Sequence, residues 1–336
     1  MRIETIRNRL RELGAKPCHE RRLLRAWLHA RALDDGTRRQ AAADFLPLAV
    51  RQQLPALTAE LTGLARVRSE HPAADGSVRL LVELSDGQCV ESVLLPRNGL
   101  CVSTQVGCAV GCQFCMTGRD GLLRQLGSAE IVAQVVLARR LRRVDKVVFM
   151  GMGEPAHNLA NVLEAIALLG SAGEIAHKKL VFSTVGDARV FAAFERLSPG
   201  AVRPALALSL HTTDAQLRAR LLPNAPRIAP AELVELAETY ARATGYPVQY
   251  QWTLLAGVND SDEEIDRVAE LLAGKYAMMN FIPFNAVDGT AFRRPAWERC
   301  AELASRLQRR GIVTRLRDSA GQDIEGACGQ LRARSV

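Results

Sequence analysis

Residues 108–115 read Cys108-Ala-Val-Gly-Cys112-Gln-Phe-Cys115. Thiols spaced three residues and then two residues apart can converge on one object only if the chain loops around it. Structural zinc takes a closed tetrahedron of Cys or His ligands, and this stretch offers three candidates with no fourth beside them. An iron–sulfur cluster takes thiolates at its irons, so three leave one iron of a four-iron cube open to a further ligand. The competing reading is a zinc-stabilised loop in a non-catalytic binding module.

Composition narrows the setting. A chain of 336 residues, 48% of them hydrophobic, can bury one large core and carry a small appendage. Its net charge is +8. Residues 1–68 hold thirteen Arg and one Lys against seven acids, so nearly all the excess lies at the N-terminus. Such a module is expected where a chain meets a polyanion, although a solvated helical face has the same composition. No apolar run approaches the ~18 residues of a membrane span, and Met1-Arg-Ile-Glu-Thr-Ile-Arg7 lacks the apolar core of a signal peptide. Eight Cys without an export signal point to a reducing cytoplasm, where thiols serve metals or catalysis. Cys18, Cys89 and Cys300 read as small buried hydrophobes.

The apolar period divides the chain into four parts. Residues 1–65 form a basic helical domain, with Ile6, Leu10, Leu13 and then Leu23, Leu24, Trp27 at helical spacing. Leu46, Leu48, Val50 and Leu54 suggest a further short helical element, with Pro47 and Pro55 marking turns. Residues 66–97 read as a β-hairpin linker, two alternating runs around Ser85-Asp86-Gly87. Residues 98–320 alternate strands with helices. The strands fall at 101–105, 146–150, 179–183, 205–210, 248–254 and 278–282, and the pattern implies a parallel sheet. Six such units fit a partial (β/α)6 barrel or an open doubly wound sheet. Residues 321–336 form a C-terminal segment.

Ligands of parallel α/β folds sit at the carboxyl ends of the strands. The outstanding polar residues share that address. The cysteine loop follows the first strand, and Gly151-Met152-Gly153-Glu154-Pro155 follows the second. Ser183-Thr184 ends the third, Ser209-Leu210-His211 the fourth, and Asn285 follows the sixth. Each has an ordinary alternative. The glycines suit any strand-to-helix turn, Ser183 could cap the next helix, and His211 could be a packed core histidine. Cys101 and Cys328 could be buried bystanders, and Glu91 an exposed hairpin carboxylate.

Five patterns then occur in order: Val90-Glu91-Ser-Val-Leu-Leu-Pro96, Leu100-Cys101-Val-Ser-Thr-Gln-Val-Gly-Cys108, Gly151-Met-Gly-Glu-Pro155, Ser209-Leu-His211 and Ala327-Cys328-Gly-Gln-Leu331. Together with the three-Cys loop and its aromatic before the last Cys, they resemble the RlmN/Cfr family of radical-SAM RNA (adenine) methyltransferases over nearly the whole chain. The resemblance selects the partial barrel. It implies a [4Fe-4S] cluster on Cys108, Cys112 and Cys115, and S-adenosyl-L-methionine (SAM) held by Gly153, Glu154, Ser183, Ser209, Leu210, His211 and Asn285. Cys328 would be methylated on sulfur, and a carbon radical formed there would add to the adenine. Glu91 would take the ring proton, and Cys101 would release product by a transient disulfide with Cys328. The implied partners are RNA (23S ribosomal RNA or tRNA) and a reductant for cluster and disulfide. A cytoplasmic monomer without membrane contact is expected.

Several positions depart from the family pattern: Thr212-Thr-Asp after His211, Leu222-Pro-Asn-Ala-Pro-Arg-Ile228, Ala286 after Asn285, and Gln249-Tyr-Gln-Trp252 where many members carry a Glu. None touches the five cysteines, Glu91 or Glu154. They leave open which RNA is modified and whether carbon 2, the favoured position, or carbon 8 is methylated. A radical-SAM enzyme acting on a peptide or small molecule is the further alternative.

Overall fold

The computed structural model describes residues 1–35 and 45–333. Arg38 and Arg39, part of the N-terminal charge excess, and residues 334–336 lie outside these ranges. Strands β1 (Ala65–Pro72), β2 (Val78–Leu84), β3 (Cys89–Leu95) and β4 (Gly99–Cys101) come first, followed by a short pair, β5 (Gln105–Gly107) and β6 (Leu122–Gln125). Then come β7 (Lys146–Phe149), β8 (Leu180–Thr184), β9 (Ala205–Ser209), β10 (Val248–Leu254), β11 (Ala277–Pro283) and β12 (Val313–Leu316).

One ten-stranded sheet runs in the order β1-β2-β3-β4-β7-β8-β9-β10-β11-β12. Its first three pairings are antiparallel. Every pairing from β4 to β12 is parallel. Six helical crossovers join these parallel strands, as the expected partial barrel requires. The helix Ser128–Leu141 is buried on every side from Ser128 to Ala138, because it lies between the sheet and the N-terminal helices.

The structure differs from the sequence reading at defined places. The expected hairpin has a third strand, β1, and all three strands extend the barrel sheet through β4. A seventh parallel strand, β12, carries no mark in the sequence, because Val-Thr-Arg-Leu is too short and too polar to show a period. The first parallel strand ends at Cys101, and Gln105–Gly107 belongs to the separate β5–β6 hairpin. Pro55 marks no turn: the helix Leu48–Gly63 runs through it. Pro55 is exposed, so water can satisfy the carbonyl that its missing N–H abandons. Cys18 is exposed, whereas Cys89 and Cys300 are buried.

The N-terminal helices Ile3–Glu12 and Pro17–Leu28 dock on the barrel's outer helices. Ile3 N donates to Ser128 Oγ (2.8 Å), and the Arg139 guanidinium donates to Leu28 O (2.9 Å). Much of the Arg excess is matched locally, with Arg9 on Glu60, Arg11 on Glu20 and Arg25 on Glu174. Arg21 and Arg31 have no ion-pair partner among the described residues.

A buried polar network ties β3 to the chain leaving β4. Gln134 Oε1 accepts from Ser92 Oγ (2.7 Å) and Ser103 N (2.9 Å), while its Nε2 donates to Ser103 O (2.9 Å). Ser103 Oγ donates to Glu91 O (2.5 Å) and accepts from Met152 N (2.8 Å). Gln134→Leu would strand three buried polar groups and should cost roughly 3 kcal/mol. A lowered urea midpoint at unchanged slope would register it, and an unchanged midpoint would refute it.

Candidate active site

The cysteine loop is carried by the β5–β6 hairpin. Gly107 has φ +77°, and a Cβ there would lie 2.0 Å from Gly121 O. That close approach lets Cys108 N donate to Gly121 O (2.9 Å) and shut the loop at its neck. Inside, Cys115 N donates to Cys112 O (3.1 Å), and Phe114 meets the His211 ring edge-on at 4.8 Å.

The hairpin is in turn fastened to the Gly-Met-Gly-Glu loop. Thr104 N donates to Met152 O (2.8 Å) and Glu154 N to Gln105 Oε1 (2.7 Å). A Cβ on Gly151 would meet Val102 O at 2.7 Å, and one on Gly153, at φ +102°, would meet the Gln105 side chain at 2.6 Å. Both glycines are therefore required by packing inside the protein as well as by any ligand.

Glu154 is buried. Its carboxylate accepts from Ala156 N (3.0 Å) and Val185 N (3.0 Å). Burial pushes this carboxyl up to about 7, against hydrogen bonds from Thr184, Ala156 and Val185 that favour the charged form. His211 occupies left-handed backbone space, φ +63°, and its Nδ1 accepts from Thr253 N (3.0 Å). Burial, then the Arg218 charge, lowers its pKa to about 3. The ring is neutral with its proton on Nε2, a hydrogen-bond donor.

Burial pushes Cys108 up to about 12 and raises Cys112 and Cys115 as well. Thiols so placed hold their protons until a metal displaces them. Among the described residues, no three His, Cys, Asp or Glu side chains converge as a single metal ion requires. Three thiols around one cavity suit a cube whose separate irons each take one thiolate, rather than one zinc ion.

Two cavities result. The upper one, at the carboxyl ends of the strands, is lined by the three loop cysteines with Gly153, Glu154, Ser183, Ser209 and His211. Ser183 is not a helix cap, because Asp187 caps the helix Ala188–Glu195. Leu210 is fully buried and outside the lining. Asn285 is also outside it, and its Nδ2 donates to Cys328 O (3.0 Å) and Ser319 Oγ (3.1 Å). The lower cavity reaches towards the amino ends and is lined by Cys101, Lys146, Gln249 and Arg315 among others. The two meet at Met150, Gln251, Ile282 and Cys328.

Cys328 is held at that junction by its neighbour. Gly329, at φ +88°, comes so close to the cysteine loop that a Cβ would lie 3.0 Å from Phe114 O, and Met116 N donates to Gly329 O (2.7 Å). Cys328 is exposed, opening on both cavities, and the surrounding protein raises its thiol by displacing bulk water, partly offset by the Arg317 charge. Burial, then Cys328 itself, raises Cys101. Glu91 lies apart and lines neither cavity. It is fully buried, not exposed, paired with Arg79, and its Oε2 accepts from Arg332 N (2.8 Å) and Ala333 N (3.0 Å).

Sequence reasoning missed Gln105, Gln251, Thr253 and Arg218. Buried Arg218 donates to Val185 O and Ser209 O, bracing both serine-bearing strand ends. An Arg in the amphipathic run Ala215–Leu221 carries no local mark of burial.

With Glu154 titrating near 7, its protonated fraction grows as pH falls, and an ammonium bound there must displace that proton. SAM, which the family resemblance assigns to this cavity, should bind with release of nearly one proton at about pH 6 and with net proton uptake at about pH 8.5, where its own α-amino group is largely neutral in solution. Calorimetry in buffers of differing ionisation enthalpy would measure this. Glu154→Gln should weaken binding about tenfold or more and abolish the proton release.

Known proteins resemble this chain in sequence and in fold. Residues 102–272 match the Radical SAM superfamily. A probable RNA methyltransferase of Aromatoleum aromaticum is 72% identical over 336 residues, spanning 100% of this chain and 93% of its own. Another, of Pseudomonas aeruginosa, is 67% identical over 336 residues, spanning 100% and 96%. The crystal structure of a radical SAM methyltransferase from Sphaerobacter thermophilus matches with a TM-score of 0.83 at 33% identity, over 99% of this chain and 98% of its own. Streptococcus suis SuiB bound to S-adenosylmethionine shares the fold, with a TM-score of 0.51 at 14% identity over 68% of this chain and 52% of its own. This chain belongs to the Radical SAM superfamily, as a SAM-dependent enzyme that uses a [4Fe-4S] cluster and is of one family with the radical-SAM RNA methyltransferases its motifs resemble.

Proposed function

We propose that the protein methylates an adenine ring carbon, carbon 2 being favoured, in RNA, with 23S ribosomal RNA or tRNA as target. The observation that carries the reading is the junction. Cys328 faces the cavity of the three loop cysteines and Glu154 on one side, and the cavity containing Cys101 on the other. A methyl group placed on the Cys328 sulfur from one side is thereby presented to a base entering from the other.

Cluster and SAM, when bound, supply an electron, a methyl group and a means of hydrogen abstraction. The chain supplies positions. Cys108, Cys112 and Cys115 hold the cluster, while Gly153, Glu154, Ser183, Ser209 and His211 hold SAM. Glu154 takes the ammonium group, and His211 offers its Nε2–H. Leu210 acts through its backbone, and Asn285 by fixing the Cys328 carbonyl. Cys328 accepts the methyl group as thiolate. Glu91 takes the ring proton, a role for which residues 332–333 must release its Oε2. Cys101 then attacks the Cys328 sulfur, freeing product and leaving a disulfide that an external dithiol reduces. The basic N-terminal module grips the RNA, and the protein works as a cytoplasmic monomer. Among the described residues no helix is long and apolar enough to cross a membrane.

Mass spectrometry of the cluster-loaded protein after incubation with SAM should find an added methyl group on Cys328. Cys328→Ala should abolish RNA methylation. Cys101→Ala should instead accumulate RNA covalently bound to the protein, and the absence of that adduct would remove Cys101 from the resolving role. Neutralising Arg21 and Arg22 together should weaken RNA binding and lower its salt slope by up to about 2. Unchanged affinity would return that face to ordinary solvated surface.

A further inference from the structure

The lower cavity has a character that the proposed chemistry at Cys328 does not use. It measures about 730 Å³, within the ~300–1,000 Å³ that accommodates small ligands. Four cations line it (Arg97, Lys146, Arg315 and Arg317) against one carboxylate, Asp318. Asp318 is already engaged by Gln322 Nε2 (2.6 Å) and Arg294 (3.5 Å). Lys146 and Arg315 have no carboxylate partner among the described residues.

Register explains the gathering. Asn280 pairs with both Gln251 and Arg315, so the three side chains share one face of the sheet. Arg317, two residues beyond Arg315, returns to that face, and its Nε donates to Asn280 Oδ1 (3.0 Å). Asn280 is fully buried, yet its Nδ2 has no partner, a donor left over beside the cations. Lys146 begins β7 and lines the same cavity. Burial, then the Arg317 and Arg315 charges, lowers its pKa, so the three cations lie within range of one another. Arg315 and Arg317 are exposed at the opening and Lys146 is half-buried beside them. Like charges gathered in this way repel one another, and an anion bound among them relieves that repulsion.

We propose that Lys146, Arg315 and Arg317 bind a phosphate of the nucleotide whose base is to be modified, and so set how far that base advances towards Cys328. This rests on the reading of Cys328 as the methyl carrier to a nucleotide. It divides the labour of the barrel by charge. The carboxylate of Glu154 serves a cationic donor above Cys328, and the three cations serve an anionic acceptor below it. A phosphate met by ammonium and guanidinium groups gains charge-assisted hydrogen bonds, bidentate where Arg is the donor. Gln251, on the same face and bordering both cavities, marks the level at which the cationic lining ends.

The test uses the full cluster-loaded chain and compares equilibrium binding of adenosine, adenosine 5′-monophosphate and inorganic phosphate. The monophosphate should bind at least about tenfold tighter than adenosine and displace inorganic phosphate. Lys146→Gln and Arg315→Gln should each remove most of that gap while leaving adenosine binding unchanged. Lys146→Arg should preserve it, since charge rather than shape is read. Equal affinity for nucleoside and nucleotide in the unaltered protein overturns the proposal, as does a gap that survives both Gln substitutions. Loss of the gap in Lys146→Arg as complete as in Lys146→Gln overturns it too. The proposed reaction is judged separately. A protein whose Cys328 never accepts a methyl group but still prefers the monophosphate keeps this site and loses the reaction. One that methylates RNA without such a preference keeps the reaction and loses this site.

Discussion

The seam between residues 102–105 and 150–154 is the contact on which the active site depends. Val102 N donates to Val148 O (3.0 Å), Gly151 N to Val102 O (3.0 Å) and Thr104 N to Met152 O (2.8 Å). This zips the chain that leads into the cysteine loop directly onto the loop that carries Glu154. The seam closes only because Gly151 and Gly153 lack Cβ atoms, which would overlap Val102 O and the Gln105 side chain. Ser103 and Gln134 satisfy the polar groups left at its buried edge. With the seam closed, thiols and carboxylate border one cavity, and their positions no longer depend on flexible loops.

Burial then sets the charge state of nearly every group around that cavity. The three loop thiols and Glu154 are raised, and His211 is lowered, each chiefly by loss of water. Thiols and a carboxylate raised in this way favour protons while the site is empty. On the function proposed above they would exchange those protons for iron and an ammonium group, coupling cofactor binding to proton release.

The C-terminal segment closes the remaining side. Its carbonyls and amides are taken up one by one: Cys328 O by Asn285, Gly329 O by Met116, Leu331 O by Thr117, and the amides of Arg332 and Ala333 by Glu91. Each such bond is individually modest, and Leu331, buried in the main core, adds an apolar anchor. The segment thereby holds Cys328 where both cavities reach it.

Much of this was legible in local pattern. The Cys108–Cys112–Cys115 spacing, the alternation of strands with helices, and the address of Glu154, Ser183, Ser209 and His211 at strand ends all follow from neighbours along the chain. By itself the sequence determined the three-thiol loop, the parallel α/β class and the upper cavity, because spacing and period are properties of a few consecutive residues. Only the tertiary structure decided that Glu91 is buried against residues 332–333, that Asn285 serves Cys328 rather than lining the upper cavity, and that β1 and β12 extend the sheet. It alone gathered Lys146, Arg315 and Arg317, because strands far apart in the chain come to face one another only when the sheet curls round its core.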